Sequence, residues 1–178
     1  GWSFALDRAI EHARALDKPL VIFEPLRVGY PWASDRFHRY VLDGMLEHRE
    51  RCADRPVTYF PYVEPEAGAG KGLLAALAAE AAVVVTDDFP CFFLPARERL
   101  DVRLEAVAGN GLIPIAAEDR TFVRAFDFRR FLQRHLPDHL GDRPLADPWQ
   151  GLELSRLSEG LPPQVLERWP AASEGLLL

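Results

Sequence analysis

Cysteine is scarce in this chain and basic side chains are outnumbered by acidic ones, and each shortage excludes something. Cys52 and Cys91 show neither CxxC spacing nor a histidine at ligand spacing, so no zinc site and no redox pair is indicated. Both read as buried free thiols, which suits a reducing, cytoplasmic home. No apolar run approaches the roughly 18–20 residues of a membrane span. The first residues lack the basic start and apolar centre of a signal peptide. A soluble protein with no membrane partner is expected. With 21 basic against 27 acidic side chains, a net charge of −6, the average surface repels a phosphate backbone. That argues against a dedicated nucleic-acid module. No internal repeat or low-complexity tract is evident.

What is present suits one domain of ordinary size, with 48% hydrophobic residues available for a core in 178. Ser3 is placed to cap a first helix whose Leu6, Ala9, Ile10, Ala13 and Leu16 recur at helical spacing. Asp17 and Lys18 make a short turn, and Pro19 to Glu24 form an apolar strand ending in a carboxylate. The loop at 25–33 carries Arg27, Gly29, Tyr30 and Trp32. Ser34 opens a long helix to about Ala53, on which His38 and His48 are ten positions apart and cannot share a metal on one face. Residues 57–62 read as a second strand, with Pro61 marking its exposed end. Further strands are expected at 82–86 and 102–107, and a helix at 121–136 burying Phe128, Phe131 and Leu132 and carrying four arginines.

Glu66-Ala67-Gly68-Ala69-Gly70-Lys71-Gly72 has the look of a phosphate loop. The pattern needs a glycine five residues before Gly70, where Pro65 stands, and Ser or Thr after Lys71, where Gly72 stands. The stretch reads as an entry to an alanine-rich helix at 73–82. Asp87-Asp88-Phe89-Pro90 follows the third strand; adjacent carboxylates on an extended chain point apart, so a cap or turn is the expectation rather than a metal pair. From Pro137 prolines break the pattern, leaving one helical turn at 165–169 in a segment too apolar for a free tail.

Helices alternating with strands predict an α/β fold, a doubly wound parallel sheet of the Rossmann-like kind. A chain that begins at the first helix leaves a gap one strand wide in the middle of such a sheet. The first strand is therefore expected to be missing from this sequence, before Gly1.

Trp2-Ser3-Phe4-Ala5-Leu6, the stretch from Ala33-Ser34-Asp35-Arg36 to Gly44-Met45, Val84-Val85-Thr86-Asp87 and Gly109-Asn110-Gly111-Leu112-Ile113-Pro114 carry a resemblance. In order, they resemble the N-terminal α/β domain of class II DNA photolyases and their bacterial relatives. The likeness runs over about residues 2–140, which leaves 141–178 as a Pro-rich linker or docking segment. In that family a reduced flavin (FAD) in a C-terminal helical domain donates an electron to a cyclobutane pyrimidine dimer flipped out of DNA. The N-terminal domain is scaffold and in many members holds an antenna such as a deazaflavin. The resemblance thus implies light-driven DNA repair by the parent protein, with the flavin-binding helical domain as partner and DNA contacted through it. Nothing in this chain corresponds to that domain, so the chain alone is not expected to repair DNA. Near the end of its domain the family reads close to Ala-Arg-Thr-aromatic-Arg, whereas Ala125 here is followed by Phe126-Asp127-Phe128-Arg129.

An antenna in such a domain lies at the carboxyl ends of the strands near the switch point. The candidates there are Glu24, Arg27 and Tyr30 after one strand, Asp87, Asp88 and Phe89 after another, and Ser3 at the first helix. Tyr30 or Phe89 stacks on a flat ring, Arg27 neutralises an anionic chromophore and Ser3 hydrogen-bonds it. The alternative is that Glu24 and Asp87 cap neighbouring helices and the cleft stays empty. Two other functions remain open: a nucleotide-binding α/β domain using the glycine-rich loop, and a non-catalytic interaction domain docking through the arginine-bearing helix and Pro-rich tail.

Overall fold

The computed structural model describes residues 2–89 and 100–178. Cys91 and Pro90, and what is expected of them, lie outside the described residues. The chain divides into two compact units: Gly1–Glu11 with Ala82–Gln150, and His12–Ala81 with Gly151–Leu178.

The second unit is built on two parallel strands, β1 (Val21–Leu26) and β2 (Thr58–Val63), paired from Val21 opposite Thr58 to Leu26 opposite Val63. A helix, α2 (Asp35–Cys52), crosses between them, capped by the Ser34 side chain, which accepts the Phe37 N–H. Successive side chains on a strand point to opposite faces, and both faces here are apolar. Phe60 and Tyr62 face α3 (Leu73–Ala79) and α5 (Pro163–Arg168), where Leu73, Val165 and Trp169 complete one buried cluster. Leu26 faces the other way, toward α2 and α6 (Glu174–Leu177), and packs with Met45, Ala172 and Leu177. Helices thus cover the strand pair on both sides.

The Pro-rich end of the chain does the covering. Instead of one helical turn it forms two short helices, and the connection between them passes the edge of β2, where the Ala172 N–H donates to the Pro61 carbonyl at 2.9 Å. Pro61 is not at an exposed strand end: it is buried in mid-strand, opposite Glu24. Its missing N–H belongs to the side of β2 away from β1, the one orientation in which proline costs the ladder nothing. From α2, Arg39 donates to the carbonyls of Leu177 (3.0 Å) and Leu178 (2.7 Å), and Arg49 donates to that of Ala172.

In the first unit β3 (Val84–Asp87) pairs in parallel with β4 (Leu104–Val107). The helix α1 (Phe4–Leu16) starts here, its Ser3 hydroxyl accepting the Leu6 N–H at 3.2 Å, and Arg8 binds both Glu105 of β4 and Glu11. The last helix, α4 (Ala125–His139), runs on through Pro137, so one main-chain bond is lost near its C-terminal end. It holds no buried residue: Phe128 is 45% exposed and Phe131 and Leu132 are half-buried, contrary to the burial expected of them. Their apolar spacing is helical, but nothing among the described residues closes over them.

Among the described residues the strands form two separate two-stranded parallel sheets, not one continuous sheet. Parallel α/β architecture is therefore present in both units. No helix among the described residues is long and apolar enough to cross a membrane.

A two-stranded sheet is at best marginal alone, so the C-terminal segment sets the stability of its unit. Replacing Trp169, 5% exposed with its indole N–H on the Ala69 carbonyl at 2.9 Å, by alanine is expected to cost about 3–5 kcal/mol in urea unfolding. A loss below about 1 kcal/mol would mean that the segment is not part of the core.

Candidate functional site

The carboxyl ends of β1 and β2 open into two loops, residues 27–34 and 64–72, and one side chain knits them together. Glu64 stands just past β2, where its N–H continues the ladder to the Leu26 carbonyl at 2.9 Å. Its side chain turns inward and is 3% exposed, a burial a carboxylate tolerates only with donors around it. One oxygen accepts the Val28 N–H at 3.0 Å; the other accepts those of Gly68 at 2.9 Å and Gly70 at 3.1 Å. Burial pushes the Glu64 carboxyl pKa up, but the three backbone donors and the nearby Arg27 charge outweigh it and hold the group below the usual carboxylate value.

The glycine-rich loop is shaped for this. Gly68 has φ +90, a conformation that directs its N–H inward and that L side chains rarely adopt. A Cβ on Gly29 would lie 2.6 Å from the Ala67 Cβ, so the two loops touch only because Gly29 has none. The amides that a phosphate would need are thus filled by the chain's own carboxylate. Sequence reasoning missed Glu64, although the signal is there: an acid one residue past a strand, followed by Gly-x-Gly.

Glu24, expected at the antenna or as a helix cap, is held by side chains of β2 and α2. It points from β1 toward α2 and accepts the Tyr59 hydroxyl at 2.6 Å and a hydrogen bond with His48 Nδ1 at 2.8 Å. Burial would raise its pKa; the bonds to His48 and Tyr59 prevail and lower it. The same contact raises the pKa of His48. Tyr59 is pushed far above the ordinary phenol range, by burial first and then by the carboxylate. This trio ties β1, β2 and α2 together.

Arg27 is exposed beside Glu64, and the Tyr30 ring lies tilted over His38 at 5.7 Å. Trp32 holds φ 67, a left-handed backbone unusual for so large a side chain, and is 76% exposed. Phe37 and Tyr40, in the first turns of α2, are exposed as well. The other candidates belong to the first unit: Ser3 caps α1, Asp87 closes β3, the Asp88 N–H bonds the Val107 carbonyl at 2.7 Å, and Phe89 is partly exposed. Glu24, Arg27 and Tyr30 thus fall in one unit and Ser3, Asp87, Asp88 and Phe89 in the other. No cluster of three or more metal-ligating side chains occurs among the described residues.

No family model matches the chain. No solved structure matches it either. It is similar to the deoxyribodipyrimidine photo-lyase of Methanothermobacter thermautotrophicus, with 29% identity over 141 residues. The aligned stretch takes in 76% of this chain and 31% of that protein, so the chain spans less than a third of its relative's length.

Two stability measurements test the electrostatics. Glu64→Gln should cost about 1–3 kcal/mol at neutral pH, because an amide NH2 then faces backbone N–H donors. A folded pKa held below the ordinary 4.5 contributes stability above that pH, lost as pH falls through the depressed value. The gap between wild type and variant should therefore narrow in acid; a constant gap would contradict the account. His48 works in the opposite sense. Its folded pKa lies above 6.5, so its contribution is complete below pH 6.5 and fades as pH rises through the folded value. His48→Gln should flatten that decline, and an unchanged decline would remove His48 as its source.

Proposed function

We propose that this chain is the α/β domain of a photolyase-type flavoprotein, of the class II kind, whose whole polypeptide uses light to split cyclobutane pyrimidine dimers in DNA. The observation that carries the reading is the 29% identity with a deoxyribodipyrimidine photo-lyase over 76% of this chain. The βα order and the parallel pairing of both strand pairs support it. In this reading the two strand pairs belong to a doubly wound, Rossmann-like domain over residues 1–140, and residues 141–178 are a linker that docks back through its end on β1 and β2 and leads toward a flavin-binding helical domain. FAD sits in that further domain, DNA is engaged through it, and the protein works in the cytoplasm, where the free, buried Cys52 stays reduced.

This domain's own part is that of a scaffold with an antenna, a deazaflavin-type chromophore held by aromatic and basic groups beyond the strands. Arg27 and Tyr30 suit the role because neither hydrogen-bonds Glu64 or Glu24, Arg27 acting on Glu64 through its charge alone. Phe89, with Asp87 and Asp88, is proposed beyond β3. Ser3 keeps a hydroxyl proton to donate after its oxygen has accepted the Leu6 N–H. The nucleotide-binding alternative is disfavoured by Glu64, whose carboxylate already occupies the Gly68 and Gly70 amides.

Two assays separate the layers of the proposal. The full flavin-loaded polypeptide should remove cyclobutane dimers from irradiated oligonucleotides in light and not in darkness; equal yields in both would overturn the repair function. A deazaflavin should stay with the protein through gel filtration, and Tyr30→Ala and Phe89→Ala should each weaken that retention about tenfold. Retention unaffected by either substitution would overturn the antenna assignment while leaving the repair assignment standing.

A further inference from the structure

The loop after β1 is pinned at both ends. At its start Glu64 holds the Val28 N–H and Gly29 touches Ala67; at its end Ser34 caps α2. Between these anchors residues 30–33 make one tight turn, closed by the Ala33 N–H on the Tyr30 carbonyl at 3.2 Å. Pro31 suits the second place of such a turn, and the φ of 67 at Trp32 is the conformation that glycine takes in the third. A tryptophan there is strained. The strain sits beyond the carboxyl end of a parallel strand, where α/β proteins bind their ligands.

A second cost lies beside the same turn. His38, on α2, has its Nε2 closed off from water and hydrogen-bonded to nothing among the described residues. The ring next to it is that of Tyr30, 5.7 Å away and tilted by 56°. A buried polar atom without a partner is unfavourable and calls for an explanation. Both costs fall if Tyr30 lifts off His38: the turn can relax its left-handed residue, and the imidazole nitrogen can reach a hydrogen-bonding group.

We infer that residues 30–33 are a cover over His38, and that a flat anionic heteroaromatic ring enters between Tyr30 and His38, stacking on Tyr30 and hydrogen-bonding His38 Nε2. The Tyr30 ring offers the π face. The Nε2 serves a ring carbonyl as donor or a ring N–H as acceptor, according to its tautomer. Arg27, exposed on the same loop, supplies the positive charge. The inference rests on the antenna reading above; it adds His38 to that site as a ligand-contacting residue and makes the turn its gate.

His38→Phe in the full flavin-loaded polypeptide keeps a ring at this position and removes the nitrogen. The variant should be at least as stable as wild type in urea unfolding, because the unsatisfied atom is gone, yet hold deazaflavin about tenfold more weakly. In wild type the His38 Nε2 resonance should shift as deazaflavin saturates the protein. A variant that retains deazaflavin like wild type would overturn the inference and leave the antenna assignment standing; so would an Nε2 resonance that ignores the ligand. A less stable variant would mean that the nitrogen serves the fold, and would overturn it too. ATP that displaces deazaflavin at equal concentration would replace the chromophore with a nucleotide as the ligand. Wild type that retains no deazaflavin would overturn this inference and the antenna reading together.

Discussion

One buried carboxylate holds together the end of the sheet where function is expected. Glu64 is taken out of water, and that is tolerable only because Val28, Gly68 and Gly70 present their N–H groups to it. The dependence runs both ways. The loop after β1 and the loop after β2 have their shape because their amides converge on this point, and Gly29 lacks a side chain because the loops meet beside it. A backbone nest of this kind is an anion site in many proteins. Here the anion is covalently part of the chain, so the amides have their acceptor without a ligand and the space for a nucleotide phosphate is taken.

Around that point the second unit is stabilised from both faces. Phe60 and Tyr62 against Trp169 and Val165, and Leu26 against Met45 and Leu177, are consequences of simple alternation along two strands. The C-terminal segment closes both clusters. Arg39 fastens it by donating to the Leu177 and Leu178 carbonyls, which a short helix cannot satisfy internally, and Arg49 by donating to the Ala172 carbonyl before α6. The Glu24, His48 and Tyr59 contacts add a polar tie on the α2 face. Glu24, an antenna candidate in the sequence, is thus also a tie within the fold.

Much of this was legible in the sequence where one residue pattern settles one element. Short apolar, β-branched and aromatic runs placed β1 and β2, Ser3 and Ser34 announced helix starts through their hydroxyls, and helical spacing found α1 and α2. Pairing was less legible. Periodicity locates a strand but not its neighbour: a doubly wound sheet lacking its first strand was expected, and among the described residues the strands form two parallel pairs. Pro61 was misjudged because proline's meaning depends on which side of the strand its absent N–H faces, and Ala172, more than a hundred residues away, decides that. The stripe of α4 was read as buried because spacing reports amphipathicity and not what covers it. Glu64 was missed because a single acid carries no periodic signal; only the fold brings three amides to it.

The most direct test of the account is a pH titration of the Val28, Gly68 and Gly70 amide resonances by NMR, repeated with ATP added. The account predicts that all three move together in acid with one midpoint below the ordinary carboxylate value of 4.5, and that ATP leaves them unchanged. Amides that ignore acid but shift saturably with ATP would contradict it, and would restore the glycine-rich loop as a nucleotide site.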